Sequence, residues 1–547
     1  MASTAKELMR EIFRSKMYMS DIEILDDFFE PKAVHDHFME LTKRYHPSGE
    51  EDKVREYVIN CAKKIENVEI SYYDESEAKE PGKRVIVLHR RGSGNYASAP
   101  YVTLQAHMDM VCSPDKEIFP LKVFGYPDEE SEKWIKAGDQ ESITDPGKGT
   151  TLGADDGIGV ATILALLEDE KLKDYPFECL FTVQEETDMG GAANFDPALL
   201  KGRTYINLDA EDVKTIIYGS AGGRGVQYEG NVTLSPVPEG FINLKLSISG
   251  LCGGHSGINI NCGRLNAIKV VTDILIRLNN RLTNLDVKGE GIKSYDLRLV
   301  SLKRDEEAIS NKIPSCASAI IALPEINKVE FENDFNAYCE ALKVQSKPEE
   351  NLVYSIQDVE STPNSLNEAS TDALLCLLRQ IPHGVIRMIP NVPNLVETSS
   401  NLADVSIQPG GMADLNVQPE VTIKASNRSS DLGSMNALVQ IQKTIGELFK
   451  YTVETGDSYP AWKPDVNSAL LDKAKTVYTK IYGEESIATV IHAGLECSYI
   501  VEKYGEEIDC ISIGPTVMNP HTGGERLQAA TVEKFYGAVT DLIQSLF

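Results

Sequence analysis

The 547-residue chain has no CxxC pair, no apolar run of membrane-spanning length and no excess of positive charge. Each absence removes a class of protein. Its ten cysteines, at 61, 112, 179, 252, 262, 316, 339, 376, 497 and 510, are scattered without a tight framework. That fits reduced thiols better than a disulfide scaffold. No stretch approaches the roughly 18–20 apolar residues that a membrane span needs. Lys and Arg number 54 against 83 Asp and Glu, a net charge of −29. A field of that sign repels phosphate backbones and anionic lipid, so neither nucleic acid nor membrane is an expected partner. The same field concentrates cations. There is no internal repeat at solenoid periods and no low-complexity tract. The opening MASTAKELMREIFRSKMYMSDIEILDD carries charges throughout and lacks the apolar core of a secretory signal. Residues 1–27 therefore read as an N-terminal extension, and the cytoplasm is the expected location.

With 42% hydrophobic residues, the chain has material for buried cores, and its length predicts two or three domains. Residues 52–67 carry apolar residues at helical spacing. The runs RVIVLHR, YVTLQAH, FECLFTV and TYINL, ending at Arg90, His107, Val183 and Leu208, predict strands. Between the second and third, GIGVATILALLEDE predicts a buried helix after a glycine turn. Such alternation implies an α/β sheet whose ligands gather at the carboxyl ends of its strands.

From about Lys214 the pattern changes. FINLKLSIS (241–249), a helix over 264–278, YDLRLVSL (295–302), SAIIAL (318–323), a helix over 332–344 and NLVYSI (351–356) follow in turn. That β-α-β-β-α-β order is ferredoxin-like. An α-β-β-β-α stretch from about Thr371 to Phe449 is read as extending it, and Gly456–Trp462 as a linker. Helices over 467–481 and 530–546 and the strand IDCISIG (508–514) resume the α/β alternation. The expected organisation is a first domain in two parts, 28–213 and 456–547, split by an inserted α+β domain over 214–455.

Four motifs sit where the first domain's strands and glycine turn end. In His107-Met108-Asp109, residues two apart share a face of extended chain, and a carboxylate near a metal-binding imidazole fixes its tautomer. In Gly153-Ala154-Asp155-Asp156-Gly157, adjacent carboxylates repel unless a cation or solvent separates them, so one of the pair is expected to point inward. In Gln184-Glu185-Glu186-Thr187, neighbouring side chains diverge, so one Glu can bind metal while the other moves a proton. The fourth is Asn207-Leu208-Asp209-Ala210-Glu211-Asp212. Far along the chain, Asn519-Pro520-His521 follows a strand. Each alone has an ordinary reading as a solvated turn or a surface pair. Together they supply mixed nitrogen and oxygen ligands for two divalent ions, one carboxylate bridging them. The glycine-rich Gly219–Gly225 lacks the Lys-Ser/Thr of a P-loop.

The order H-x-D, A-D-D-G, Q-E-E-T, N-L-D-A-E-D, G-G-H-S-G and N-P-H resembles the M20 metallopeptidase family. The phrases HMDMVCSP, TLGADDGIG, LCGGHSG, YPAWKPD and IHAGLEC resemble its Xaa-His (aminoacyl-histidine) dipeptidase branch, from about Phe28 to Phe547. The resemblance implies a mixed-sheet α/β catalytic domain split by a lid domain, hydrolysing small dipeptides, Xaa-His dipeptides among them. It implies that His107 and Asp209 bind one zinc, Glu186 and His521 the other, and Asp155 both, with Mn or Co as alternative metals. Asp109 would orient His107, and Glu185 would be the general base acting through a two-metal-activated water. His255 would be the lid histidine that polarises the carbonyl. Arg428 would bind the substrate's carboxylate, and Glu496 would help hold its amine. A homodimer is the expected assembly. Two departures, Gly523-Gly524-Glu525 after the last His and Ser498 after GLEC, bear on substrate preference rather than on catalysis. Two alternatives depart from this function. An aminoacylase or other deacylase would keep the site and change the leaving group. A catalytically inert metal-binding interaction protein would have no reason to keep Glu185.

Overall fold

The computed structural model describes residues 28–547 except 75–78, 114–117, 129–130, 144, 146–147, 280–294, 307–309, 347–348, 350, 390–394, 408–414 and 416–417. The extension over 1–27 lies outside the described residues. The chain forms two compact units. One comprises Met1–Gly219, Pro464–Val490 and Leu495–Phe547, the other Ser220–Lys463 and Ile491–Gly494.

The first unit is built on an eight-stranded mixed sheet. Its strands are β1 (Val68–Tyr73), β2 (Ile86–Arg90), β3 (Val102–His107), β4 (Phe177–Thr182), β5 (Thr204–Asn207), β6 (Thr215–Ser220), β7 (Ile487–Ile491) and β8 (Asp509–Ser512). They lie in the order β1-β2-β4-β3-β5-β8-β6-β7. The central β4, β3, β5 and β8 run parallel. Every residue of β3 and β4 is buried, as a parallel strand covered on both faces requires. Helix α1 (Lys32–Leu41) packs on helix α2 (Ala154–Glu168), which lies against β3. Helix α2 is apolar around nearly its whole circumference, with Ile158, Val160, Ile163, Leu164 and Leu166 all at most 1% exposed. It is an internal helix, and its first turn starts beside the end of β3.

The second unit contains a four-stranded antiparallel sheet ordered Arg298–Arg304, Ala317–Pro324, Phe241–Ser249, Val353–Val359. Helices Ala267–Leu278 and Lys328–Gln345 fall between its strands in the sequence, a β-α-β-β-α-β unit. The α-β-β-β-α stretch lies in the same unit, outside this sheet. Its strands Gly384–Met388, Val396–Ile407 and Glu420–Ser429 join Gly222–Asn231 and Thr452–Tyr459 in a separate five-stranded sheet. The linker reading of Gly456–Trp462 is corrected by the same sheet. Gly456 to Tyr459 belong to the strand Thr452–Tyr459, antiparallel to Gly222–Asn231. The glycine and proline there mark a bulged register and the strand's end.

Candidate metal centre and active site

In the first unit, parallel register sets the ends of three strands side by side. His107, the last residue of β3, pairs with Thr182 of β4, and Gln105 pairs with Asn207 of β5. The chain therefore leaves neighbouring strands into Asp109, Glu185-Glu186 and Asp209. Gln184 reverses the backbone at φ 58°, and Glu185–Asp188 form a short helical turn. The turn before α2 passes through Gly153 at φ 70°, where a Cβ would lie 2.8 Å from the Met110 sulfur. His521 sits in a hairpin loop closed by antiparallel pairing of Val517 with Leu527 and Met518 with Arg526.

The side chains converge on Asp155. Its Oδ1 lies 3.1 Å from His107 Nε2, and its Oδ2 lies 3.1 Å from His521 Nε2. Asp209 Oδ1 is 3.5 Å from the same His107 nitrogen, and Glu186 Oε2 is 2.8 Å from His521 Nε2. Two groups result, His107-Asp155-Asp209 and Asp155-Glu186-His521, each with its ligand atoms within 4.8 Å of one another. A third, His107-Glu185-Glu186, meets the same limit. Asp156 turns the other way, accepting from the backbone N–H groups of His107 at 3.2 Å and Gly159 at 3.1 Å.

Asp109 holds His107 through its main chain. The imidazole Nδ1 lies 3.0 Å from the Asp109 carbonyl, leaving Nε2 to face Asp155. The Asp109 carboxylate stands 3.6 Å from Nδ1 and takes other partners. It accepts from Ser48 Oγ at 2.7 Å and from the backbone N–H groups of Glu185 at 3.0 Å and Glu186 at 3.1 Å. It thereby ties the Glu185-Glu186 turn to the end of β3.

The electrostatics are those of an anionic cluster. Burial, reinforced by Asp155, pushes Glu186 up to about 7 even though His521 opposes the shift. Burial also pushes Asp209 up to about 6, with Asp155 adding to it against the pull of His107. Burial, with the charges of Glu186, Asp209 and Glu496, holds Glu185 well above the usual carboxylate range. His521 is raised to about 11, because Asp155 and Glu186 overcome the effect of burial. Protons are thus held where carboxylates crowd, and a divalent cation would displace them. The residues fit such ions. The donor set is imidazole nitrogen and carboxylate oxygen, and Glu186 Oε1 is buried with no hydrogen-bond partner among the described residues.

Glu496 is fully buried beneath this cluster. Its Oε2 accepts from Gln105 Nε2 at 2.5 Å and Thr182 Oγ1 at 2.7 Å, while Oε1 is buried without a hydrogen-bond partner among the described residues. Burial raises Glu496 to about 8.

In the second unit His255 and Arg428 come together, 173 positions apart in the sequence, with Nε2 and Nη2 separated by 3.3 Å. His255 Nδ1 accepts from the backbone N–H groups of Gly257 at 3.3 Å and Ile258 at 3.1 Å. The neutral ring therefore carries its proton on Nε2. Two donors then face each other, an arrangement that an acceptor oxygen between them relieves. Tyr459 Oη accepts from Arg428 Nη1 and orients the guanidinium.

Sequence reasoning missed three supports of the first unit's site. Ser48 holds Asp109. Glu51, fully buried, accepts from the backbone N–H of Gln184 at 3.2 Å and from Arg84 Nη2 at 2.9 Å. Glu525, noted only as a departure from the family pattern, receives backbone N–H groups at the start of α2. Buried Glu is the signal that could have marked the last two, but burial is not visible in a loop sequence.

Residues 103–545 match peptidase family M20/M25/M40. The chain is 31% identical over 525 residues to the cytosol non-specific dipeptidase of Escherichia coli (strain K12), covering 94% of this chain and 98% of that one. The crystal structure of an aminoacylhistidine dipeptidase from Vibrio alginolyticus superposes with a TM-score of 0.74 at 30% identity, covering 94% and 97% of the two chains. The aminopeptidase PepT of Bacillus cereus ATCC 10987 shares the fold at 15% identity and a TM-score of 0.54, covering 95% of this chain and 99% of that one. Among the described residues no helix is long and apolar enough to cross a membrane. The chain belongs to peptidase family M20/M25/M40 and is a hydrolase acting on peptide bonds.

Proposed function

We propose that the protein is a metal-dependent dipeptidase of the cytoplasm, holding two divalent ions, with zinc expected, and hydrolysing small dipeptides that include Xaa-His dipeptides. The observation that carries this reading is Asp155, each of whose oxygens faces a different imidazole. His107 and Asp209 would hold one ion with it, Glu186 and His521 the other. The names of the relatives from E. coli and V. alginolyticus support dipeptide substrates, and the first supports the location.

When bound, the cations supply Lewis acidity that makes water a nucleophile at neutral pH. The chain's own residues do the rest. Glu185 takes a proton from the attacking water and passes it to the leaving amine. Asp109 keeps Glu185 in place through its backbone N–H. His255 donates from Nε2 to the carbonyl oxygen as charge develops, and Arg428 takes the terminal carboxylate. Glu496 Oε1 is the acceptor for the substrate amine.

The test is chelation followed by a panel of β-alanyl-histidine, other dipeptides and N-acetyl amino acids. Activity on dipeptides should vanish and return with added zinc. Full activity in protein shown by elemental analysis to be metal-free would refute the reading. Preference for N-acetyl amino acids would make the protein a deacylase.

A further inference from the structure

We propose that Glu525 is a positioning residue that sets the His521 half of the metal centre, by tying the hairpin that carries His521 to the turn that carries Asp155. The proposal rests on the reading of Asp155 and His521 as ligands.

Glu525 is 1% exposed and lies at the root of the hairpin, four residues after His521. Its Oε2 accepts from the backbone N–H groups of Leu152 at 2.7 Å and Gly153 at 3.1 Å. Its Oε1 accepts from those of Ala154 at 2.7 Å and Asp155 at 3.4 Å. These donors belong to the turn that carries Asp155, ahead of the non-helical kink at Asp155-Asp156, and the helix beyond the kink is capped separately by Asp156, whose Oδ1 accepts from Gly159 N–H. Their acceptor comes from 370 or more positions away, so ordering this turn and docking the hairpin are one event.

The hairpin is stiff enough to transmit that position. Glu525 N–H donates to Thr522 O at 3.0 Å, and Thr522 Oγ1 accepts from Gly524 N–H at 3.0 Å and donates to Asn519 O at 2.9 Å. It also rests on bare backbone, since a Cβ on Gly149 would lie 1.9 Å from the Gly523 carbonyl oxygen. The His107 half is held otherwise, by β3, the Asp109 carbonyl and the Asp156 carboxylate. The clamp should therefore act on one ion more than on the other.

Glu525→Gln tests it. An amide keeps one acceptor oxygen and turns an NH2 group toward two of the backbone donors. Apoprotein of the wild type, Glu525→Gln, Glu525→Asp and His521→Ala would be titrated with Co²⁺, followed by visible absorption and by bound-metal analysis, with circular dichroism to check the fold. In folded Glu525→Gln the first ion should bind as in wild type and the second about 10–100-fold more weakly, the usual loss when a support behind a ligand is removed. His521→Ala should lose the second ion outright. Normal affinity for both ions in Glu525→Gln, while His521→Ala loses one, would overturn the clamp and leave the ligand reading standing. Equal weakening of both ions would overturn it too. Retention of both ions by His521→Ala would remove the ligand reading and the clamp with it. Should Glu525→Gln not fold, Glu525→Asp decides. It keeps the charge but is one methylene shorter, so weaker binding of the second ion supports the clamp and wild-type affinity overturns it.

Discussion

Replacing Asp109 by Asn separates two roles that this residue could play. The carboxylate has three donors, with Ser48 Oγ and the Glu186 N–H on Oδ2 and the Glu185 N–H on Oδ1. An Asn has one acceptor oxygen, and it keeps the most bonds by occupying the Oδ2 position. Its NH2 group then opposes the Glu185 N–H, leaving a partly buried donor without an acceptor, at a cost of about 1–3 kcal/mol. The structure relieves that cost by moving Glu185, the proposed base, away from its position. Through transition-state theory such a loss corresponds to a fall in kcat of about 5–150-fold. Both ions should stay bound, because the His107 ring is held by the Asp109 carbonyl, which the substitution keeps. The assay is bound-metal analysis together with kcat and KM on a dipeptide at saturating zinc. If the carboxylate acted instead through His107, the variant would lose metal and recover its kcat at high zinc. That recovery, or an unchanged kcat, would refute the reasoning.

The other predictions are briefer. Glu185→Gln should keep its metal yet lose about 10²–10⁴-fold in activity, whereas Glu186→Ala should lower metal content, and an exchange of these phenotypes would swap the two roles. His255→Ala should leave metal and fold intact and lower kcat by about 10²–10³-fold, with a smaller change in KM, while near-normal kcat would remove it from the chemistry. Stability should fall as pH rises from about 6.5 through about 9, because His37 on α1 is raised to about 9. Burial alone would lower it, and hydrogen bonds with Cys61 and with Glu168 on α2 overcome that. The folded state holds that proton where the unfolded state has released it, so the stability advantage of wild type over His37→Gln should shrink across this window in thermal melts, and a constant difference would refute it.

The α/β fold was legible because its central strands are covered on both faces. Val102, Leu104 and Ala106, or Phe177, Cys179, Leu180 and Phe181, mark them as strands, although Thr103, Gln105 and Glu178 alternate with these and are buried as well. The helix after Gly153 was legible for the same reason. The strand at Thr452–Tyr459 was not, since Gly456 and Pro460 punctuate it as they would a linker, and only its pairing with Gly222–Asn231 reveals it. Parallel register gathered the strand-end motifs, so the coming together of His107, Asp155, Glu186, Asp209 and His521 could be expected from the places of their motifs and from the family resemblance.

What lay beyond reach was the support of those residues, and the reason is chemical. Glu51, Asp109 and Glu525 all act on backbone N–H groups near the site, at positions 152–155 and 184–186, and Ser48 donates to the Asp109 carboxylate behind them. Every residue except proline carries such a donor, so nothing in Leu152 or Gln184 advertises that its N–H needs a partner from elsewhere. A carboxylate that binds a side chain leaves two complementary residue types in the sequence, but one that binds backbone leaves only itself. The same asymmetry explains why Asp109 reads from H-x-D as a partner of the imidazole, while the geometry gives its carboxylate to the Glu185-Glu186 turn. Two neighbours in sequence suggested one contact, and the fold adds a shorter one from the carbonyl of the same residue, at 3.0 Å from Nδ1 against 3.6 Å for the carboxylate. The carboxylate meanwhile holds the turn of Glu185, the proposed base.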